Sequence, residues 1–493
     1  MNTTQITEVA IIGAGFGGLA MAIALRRAGR EDFVVLERAA SVGGTWRENT
    51  YPGVACDVPA HLYGFATHPN PHWSSTFAAG GEIHDYLRRV ADDEQLGDRL
   101  RLDCALQTAV WTGAEWRIET TTGRLIARSL VLACGRLTEP AIPDIPGLES
   151  FPGPLFHSSR WQHETDLSGA RVAVVGTGAS AVQLVPELAR SAAHVTLFQR
   201  TPAWIVPRGG AAASEAEQQR FAAHPDELAA ARAALYAEGE ARFASRSGDA
   251  EASAAARATA LAHLESQVAD PALRRALTPA YAFGCKRVLL SDDFYPTVAS
   301  AAVTVEASAL TAVDGSVLVA AGGARHAADA VVLATGFAST RQPYADLVTG
   351  ENGETLAAHW EAGMSSFGST VISGFPNLYV LNGPNASLGH TSSVLMIEAQ
   401  AAYAVRCLAL AETTGDALRV DPAAEAAYTD EIADAAASTP WLTGGCHNWY
   451  VDERSGRLAL LWPGTVDAFR ARLARADGSE FLALPERLER RLA

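Results

Sequence analysis

The chain has 493 residues, too long for one hydrophobic core and long enough for about three domains. Hydrophobic residues make up 48% and charged residues 19%, which excludes a disordered or fibrous chain. Lys and Arg number 39 against 55 Asp and Glu, a formal charge of -16, so a polyphosphate backbone or an anionic lipid surface is repelled overall.

Met1 to Val9 hold no basic segment followed by an apolar stretch, and no apolar run of about 18 residues passes without polar interruption. The expectation is a cytoplasmic protein with neither a nucleic acid nor a membrane as partner. Cys56, Cys104, Cys134, Cys285, Cys407 and Cys446 show no C-x-x-C spacing. That predicts inert thiols rather than a disulfide framework, a metal site or a dithiol redox pair.

The apolar run Val9 to Ile12 has strand length and is followed by Gly13-Ala14-Gly15-Phe16-Gly17-Gly18 and a helical stretch to Arg27. Strand, glycine turn and helix in this order form a dinucleotide cradle. Gly13 permits the turn, Gly15 admits a pyrophosphate and Gly18 lets helix and strand pack closely. A second strand, Val34 to Leu36, ends in Glu37, where such folds put the acid for a ribose hydroxyl.

The pattern recurs at Val172 to Val175, with Gly176-Thr177-Gly178-Ala179-Ser180-Ala181, a helix through Leu188 and a strand Val195 to Phe198. Two such folds predict two dinucleotides. Glu37 and Arg200 stand equally far from the first glycines of their loops, Gly13 and Gly176, so a cation replaces an anion at the matching place. An acid suits the unphosphorylated ribose of FAD, whereas Arg suits the 2'-phosphate of NADP. With one more cation, the preference for NADPH over NADH is roughly two to four decades. The alternative is a surface Arg beside an NAD site.

Apolar strands at Val131 to Ala133 and Val331 to Ala334 end in glycine turns and read as the exits of the two folds. Arg208 to Leu277 is rich in Ala and Glu, which predicts a helical insertion with helices over 217–221, 226–242 and 254–268. Tyr379 to Leu381 and a helical run Ser392 to Leu408 resemble a return to the first fold. Ser392 or Ser393 is placed to cap that helix, whose positive end suits a flavin edge, although a plain capped helix fits equally. The expected class is therefore α/β, with two Rossmann-like dinucleotide-binding domains and a helical insertion. The expected parts are residues 1–145 and 346–493 for FAD, 146–208 and 279–345 for NADP, and 209–278 for the insertion.

Phe151-Pro152-Gly153-Pro154-Leu155-Phe156-His157-Ser158-Ser159-Arg160-Trp161-Gln162 resembles the fingerprint F-x-G-x-x-x-H-x-x-x-W of the class B flavin-dependent monooxygenases, within them the Baeyer-Villiger monooxygenases. Its last position departs, because Gln162 stands where Pro or Asp is usual. Gly43-Gly44-Thr45-Trp46, Tyr51-Pro52-Gly53, Cys56-Asp57, Cys285-Lys286-Arg287 and Ala334-Thr335-Gly336-Phe337 match as well. Gly383-Pro384-Asn385 and Gly445 to Tyr450 resemble the subgroup related to 4-hydroxyacetophenone monooxygenase.

This resemblance implies FAD, NADP, O2 and a ketone substrate, with oxygen transferred through a C4a-peroxyflavin to give an ester or lactone. It assigns Arg287 to stabilise the negative charge on oxygen and Asp57 to pair with it, with an ordinary ion pair as the alternative. Lys286, Arg200 and Thr201 fall to the 2'-phosphate, beside Thr177, Gly178 and Ser180 of the second loop. Thr45, Trp46 and Tyr63 fall to the flavin, with core packing open for the two aromatics. Phe151, Gly153, His157 and Trp161 take a conformational role. Trp441, Trp449 and Trp462 either cover the substrate or pack the core. A sulfide- or amine-oxygenating relative, and an NADPH oxidase or flavin redox sensor, are the competing functions.

Overall fold

The computed structural model of the chain describes residues 5–482. The outer ends of the first and last expected segments, residues 1–4 and 483–493, lie outside them. Gln5–Ile12 runs between two parallel neighbours, Phe33–Leu36 and Gly123–Leu132. Val9 to Ile12 are buried on both faces, which is why they form a continuous apolar run rather than an alternating one.

This strand is central to an eight-stranded sheet in which seven follow the order Val348–Thr349, Leu106–Trp111, Trp116–Thr120, Gly123–Leu132, Gln5–Ile12, Phe33–Leu36 and Leu100–Arg101, and the eighth, Leu378–Val380, lies off that path. Gly123–Leu132 serves two neighbours on one side: its first half pairs antiparallel with Trp116–Thr120, and its last residues pair parallel with Leu378–Val380. The chain thus leaves this sheet and later returns to it twice, at Val348–Thr349 and at Leu378–Val380. Ser393–Thr414 packs beside Phe16–Arg27 in the same core. Its length and composition alone would let it cross a membrane, yet Met396, Ala401 and Ala404 are buried among the sheet's helices.

The second sheet has five parallel strands in the order Val303–Glu306, His194–Phe198, Arg171–Val175, Ala330–Leu333 and Leu155–His157. A three-stranded antiparallel ribbon, Leu310–Asp314, Val317–Ala320 and Arg325–Ala327, covers one side of it.

Between the sheets' strands lie the helices Glu215–Ala223, Pro225–Ala241, Phe243–Ser247, Ala250–Gln267 and Pro271–Leu277. Ser214, Asp249 and Asp270 start three of them by accepting first-turn N–H groups. The layer is thin, since Pro225–Ala241 buries only Leu228 and Gly239.

One expectation is corrected. Cys285 and Cys446 form a disulfide across 161 residues of sequence, so they are not inert thiols, while Cys56, Cys104, Cys134 and Cys407 remain free. Spacing along the chain could not reveal the pair, because tertiary folding alone brings the insertion's exit against the C-terminal loop.

Candidate active site

The two glycine turns are built alike. Gly13 has φ 102°, and a Cβ there would lie 2.5 Å from the Ala133 carbonyl; Gly176 has φ 113° and would meet the Ala334 carbonyl at 2.4 Å. Each loop is therefore pressed against the exit turn of its own sheet, and no side chain fits between them. A Cβ on Gly18 would meet the Gly13 carbonyl at 1.8 Å. The following helices begin at Gly15 and Gly178, which carry no capping side chain, so no side chain at the cap occupies their first N–H groups.

Glu37 is buried, and its carboxylate accepts from the N–H of Ala14 and of Ala39 at 2.9 and 3.0 Å and meets Arg47 at 3.0 Å. It braces the turn of the first cradle, a duty the sequence did not disclose. Thr45 opens the short helix Thr45–Glu48. Trp46 donates its indole N–H to the Tyr63 hydroxyl at 3.3 Å, and the Phe16 ring meets Tyr63 edge-on at 5.1 Å. Phe16 and Trp46 are buried in the first core, with Tyr63 packed against it. At the other end, Ser392 caps Ser393–Thr414 by accepting from Val394, and the Ser393 hydroxyl lies 3.3 Å from that of Ser387.

In the second cradle the Thr177 hydroxyl donates to the Thr201 carbonyl at 2.7 Å, tying the loop to the end of His194–Phe198. Ser180 sits half-buried in the first helical turn. Burial and the charge of nearby Arg200 together lower the Lys286 ammonium, whose Nζ rests over the Tyr281 ring at 5.3 Å. Neither Arg200 nor Lys286 has a carboxylate within ion-pair distance among the described residues. Two adjacent unpaired cations beside a phosphate cradle fit a 2'-phosphate.

Asp57 and Arg287 are brought together from 230 residues apart. Nε of Arg287 donates at 2.9 Å, and Nη2 at 2.6 and 2.7 Å, to the Asp57 carboxylate. The carboxylate raises the guanidinium above its ordinary value, so Arg287 stays charged. The arrangement leaves Nη1 outside the pair.

Tyr450, buried beside them, lies in a sequence motif that gives it no role. Burial pushes its phenol up to about 12, and it lies in the fields of Arg287, Asp57, Arg246 and Arg136. Arg136 and Arg246 carried no sequence signal, since one follows a glycine turn and the other sits in a charge-rich helical insertion. Of the three C-terminal tryptophans, Trp441 and Trp462 are core residues, whereas Trp449 is 38% exposed and lies against Tyr450 at 4.6 Å.

The fingerprint becomes the edge strand of the second sheet. Phe151 packs into the core beneath the ribbon. A Cβ on Gly153 would strike the Asp329 carbonyl at 2.1 Å, so the chain must approach that strand without a side chain. His157 is 3% exposed, accepts on Nδ1 from the Ser159 N–H at 3.1 Å, and meets Phe337 edge-on at 5.4 Å. Its Nε2 is buried without a partner, and burial drives the imidazole down to about 4. Trp161 stands edge-on to Phe156 at 5.1 Å against the second sheet's core. His157 thus packs the edge strand against Phe337, just past the exit turn of the second sheet.

Two nucleotide cradles on separate sheets, with a charged pair between them, define a two-nucleotide oxidoreductase. Residues 10–214 match the family described as pyridine nucleotide-disulphide oxidoreductase. Over 97% of its length the chain is 45% identical to a Baeyer-Villiger monooxygenase of Streptomyces coelicolor, covering 92% of that protein. It is 39% identical, over 96% of its length, to a Baeyer-Villiger monooxygenase of Pseudomonas aeruginosa, of which it covers 91%. The structure of oxidized steroid monooxygenase bound to NADP matches 97% of this chain and all of that one, at 27% identity and a TM-score of 0.85. The chain belongs to the Baeyer-Villiger monooxygenase family.

Proposed function

We propose that the protein is an NADPH- and O2-dependent Baeyer-Villiger monooxygenase that converts a ketone to an ester or lactone, with FAD in the first cradle and NADP in the second. Ketone, O2, NADPH and a proton give ester, water and NADP+. When bound, FAD reduced by NADPH would activate O2, one atom of which enters beside the carbonyl while the other leaves as water.

The observation that carries this reading is the Arg287–Asp57 pair. Oxygen insertion beside a carbonyl needs negative charge on oxygen to be stabilised without a proton being handed over, and a guanidinium held above its ordinary value does this. Asp57 fixes the plane of the fork and tempers its charge, while Nη1 remains to donate to the reacting oxygen. Gly13, Gly15, Gly18 and the open end of Phe16–Arg27 fit a pyrophosphate, Glu37 a ribose hydroxyl, and Thr45, Tyr63 and Ser393 the edge of the flavin. Arg200, Lys286 and Thr201 fit the 2'-phosphate. Phe151, Gly153, His157 and Trp161 transmit occupancy of the second cradle to its sheet edge.

The test is a product balance. Holoenzyme, NADPH and O2 are mixed with a ketone panel and a sulfide panel, and ester, sulfoxide, hydrogen peroxide and NADPH consumed are measured. Ester formed one for one with NADPH supports the reading. Sulfoxide alone across a broad ketone panel, or peroxide released in full with every candidate, overturns it.

A further inference from the structure

The loop from Tyr51 to Asp57 follows the first cradle in sequence but is held from both nucleotide-binding units. On its own side, the Cys56 N–H donates to the Ala78 carbonyl and the Val54 carbonyl accepts from the Gly80 N–H, each at 2.9 Å. Tyr51 instead buries its ring in the core of the second sheet, and Val54 packs against the cores of both. Among the described residues only Arg287 bonds the Asp57 carboxylate, so where that carboxylate stands follows from the backbone that carries it.

Gln183 fixes that backbone from the second unit. Its Oε1 accepts from the Tyr51 hydroxyl and its Nε2 donates to the Ala55 carbonyl, both at 2.9 Å. A carbonyl can only accept, which turns the NH2 of the amide to Ala55 and leaves the oxygen for the phenol. Between these two points a Cβ on Gly53, where φ is 81°, would lie 2.8 Å from the Gln183 carbonyl, so loop and helix touch with no side chain between them. Arg208 adds a longer hold, Nη2 to the Cys56 carbonyl at 3.3 Å. Gln183 lies in Ala179–Leu188, the helix that leaves the second glycine loop, one turn after Ser180. The Ser180 side chain bears on the same Tyr51 hydroxyl. The helix end assigned to the dinucleotide and the face that grips the loop therefore belong to one rigid turn.

We propose that Gln183 is a positioning residue for oxygen transfer: it registers the loop from Tyr51 to Asp57 on the helix of the second cradle, so that NADP bound there holds Asp57 where Arg287 needs it. The proposal rests on the Baeyer-Villiger reading for the step that is served, while the grip itself rests on geometry alone. A reacting group displaced by about 1 Å costs roughly a hundredfold in rate, so a loop that slips on the helix shows itself in the chemistry.

The experiment compares the holoenzymes of wild type, Gln183→Met and Tyr51→Phe. Met fills the volume of Gln without its bonds, and Phe removes one bond of the two. Hydrogen exchange with and without NADP+ reads the grip without turnover. NADP+ is expected to slow exchange over residues 176–182 in every variant, but over residues 51–58 fully in wild type, partly in Tyr51→Phe and not in Gln183→Met. On anaerobic mixing with NADPH, the flavin of Gln183→Met should be reduced roughly ten- to a hundredfold more slowly, with Tyr51→Phe in between and the Kd for NADP+ within a few-fold of wild type. Under O2 with a ketone, ester per NADPH falls and hydrogen peroxide rises to match. Tyr51→Phe carries the same readouts where Gln183→Met does not fold. Wild-type exchange over residues 51–58 that ignores NADP+ overturns the coupling. A lower urea midpoint in Gln183→Met with wild-type reduction rate and ester yield shows that the amide serves the fold alone, and overturns the proposal as well. If wild type makes no ester from any ketone while exchange and flavin reduction change as expected, the grip stands and the Baeyer-Villiger reading falls.

Discussion

Arg287 holds Asp57 with two nitrogens across 230 residues of sequence, its Nε at 2.9 Å and its Nη2 at 2.6 Å from the same carboxylate oxygen. The pair bridges the loop after the first cradle and the exit from the insertion, so each residue fixes the other's segment. Arg287→Ala should lower ester formation by roughly a hundredfold or more, the cost of losing a preorganised donor at a developing charge. Arg287→Lys keeps charge but not the fork, and should recover only part. Asp57→Ala should slow both the reduction of FAD by NADPH and ester formation, because the freed guanidinium loses its orientation. Product analysis and anaerobic reduction rates check this, and near-normal ester yield from Arg287→Ala would remove the assigned role.

Arg200 and Lys286 lie near one another with no carboxylate within ion-pair distance of either among the described residues, an arrangement that fits a phosphate. Arg200→Gln should raise KM for NADPH by about tenfold or more while leaving KM for NADH nearly unchanged, and Arg200→Gln with Lys286→Gln should erase most of a two-to-four-decade preference. Steady-state kinetics with both nucleotides decide the matter. Equal losses on NADPH and NADH would show that the two cations serve the fold and not the 2'-phosphate.

The Cys285–Cys446 link places a covalent tie one residue from Lys286. Thiol titration of the unfolded protein should count four thiols before reduction and six after it. Cys446→Ser should lower unfolding stability by about 2–4 kcal/mol, the usual worth of closing a long loop. A count of six before reduction would show that the two cysteines are thiols.

The central parallel strands of both sheets were legible because they are buried on two faces and lead into glycine turns, so Val9 to Ile12 and Val172 to Val175 carry an unbroken apolar signal. Trp116–Thr120 was not, since its burial alternates residue by residue and its partners are set by sheet register. Gly13, Gly176, Asp57 and Arg287 could be named from motifs, and the fold does bring the last two together. Arg47 on Glu37, the Cys285–Cys446 pair, and Arg136 and Arg246 around Tyr450 have no local pattern. They exist only where segments far apart in sequence pack against each other.

His157 supplies a test in which the sign of the pH effect is fixed by burial. Its imidazole falls from an ordinary value of about 6.5 to about 4, because Nε2 is buried without a partner and the charged form would be desolvated there. Above about pH 6.5 the ring is neutral in both folded and unfolded states and costs nothing. As pH falls from there towards 4, the unfolded chain binds a proton that the folded one refuses, so folding stability drops across that window. The full loss is about 3 kcal/mol for a group this buried. His157→Gln has nothing to titrate at this position, so its urea midpoint should fall less steeply than that of wild type between pH 6.5 and pH 4.5, with the two curves running parallel above pH 7. If the difference between wild type and His157→Gln stays constant across the whole range, the imidazole is not buried in its neutral form, and its packing against Phe337 loses its physical basis.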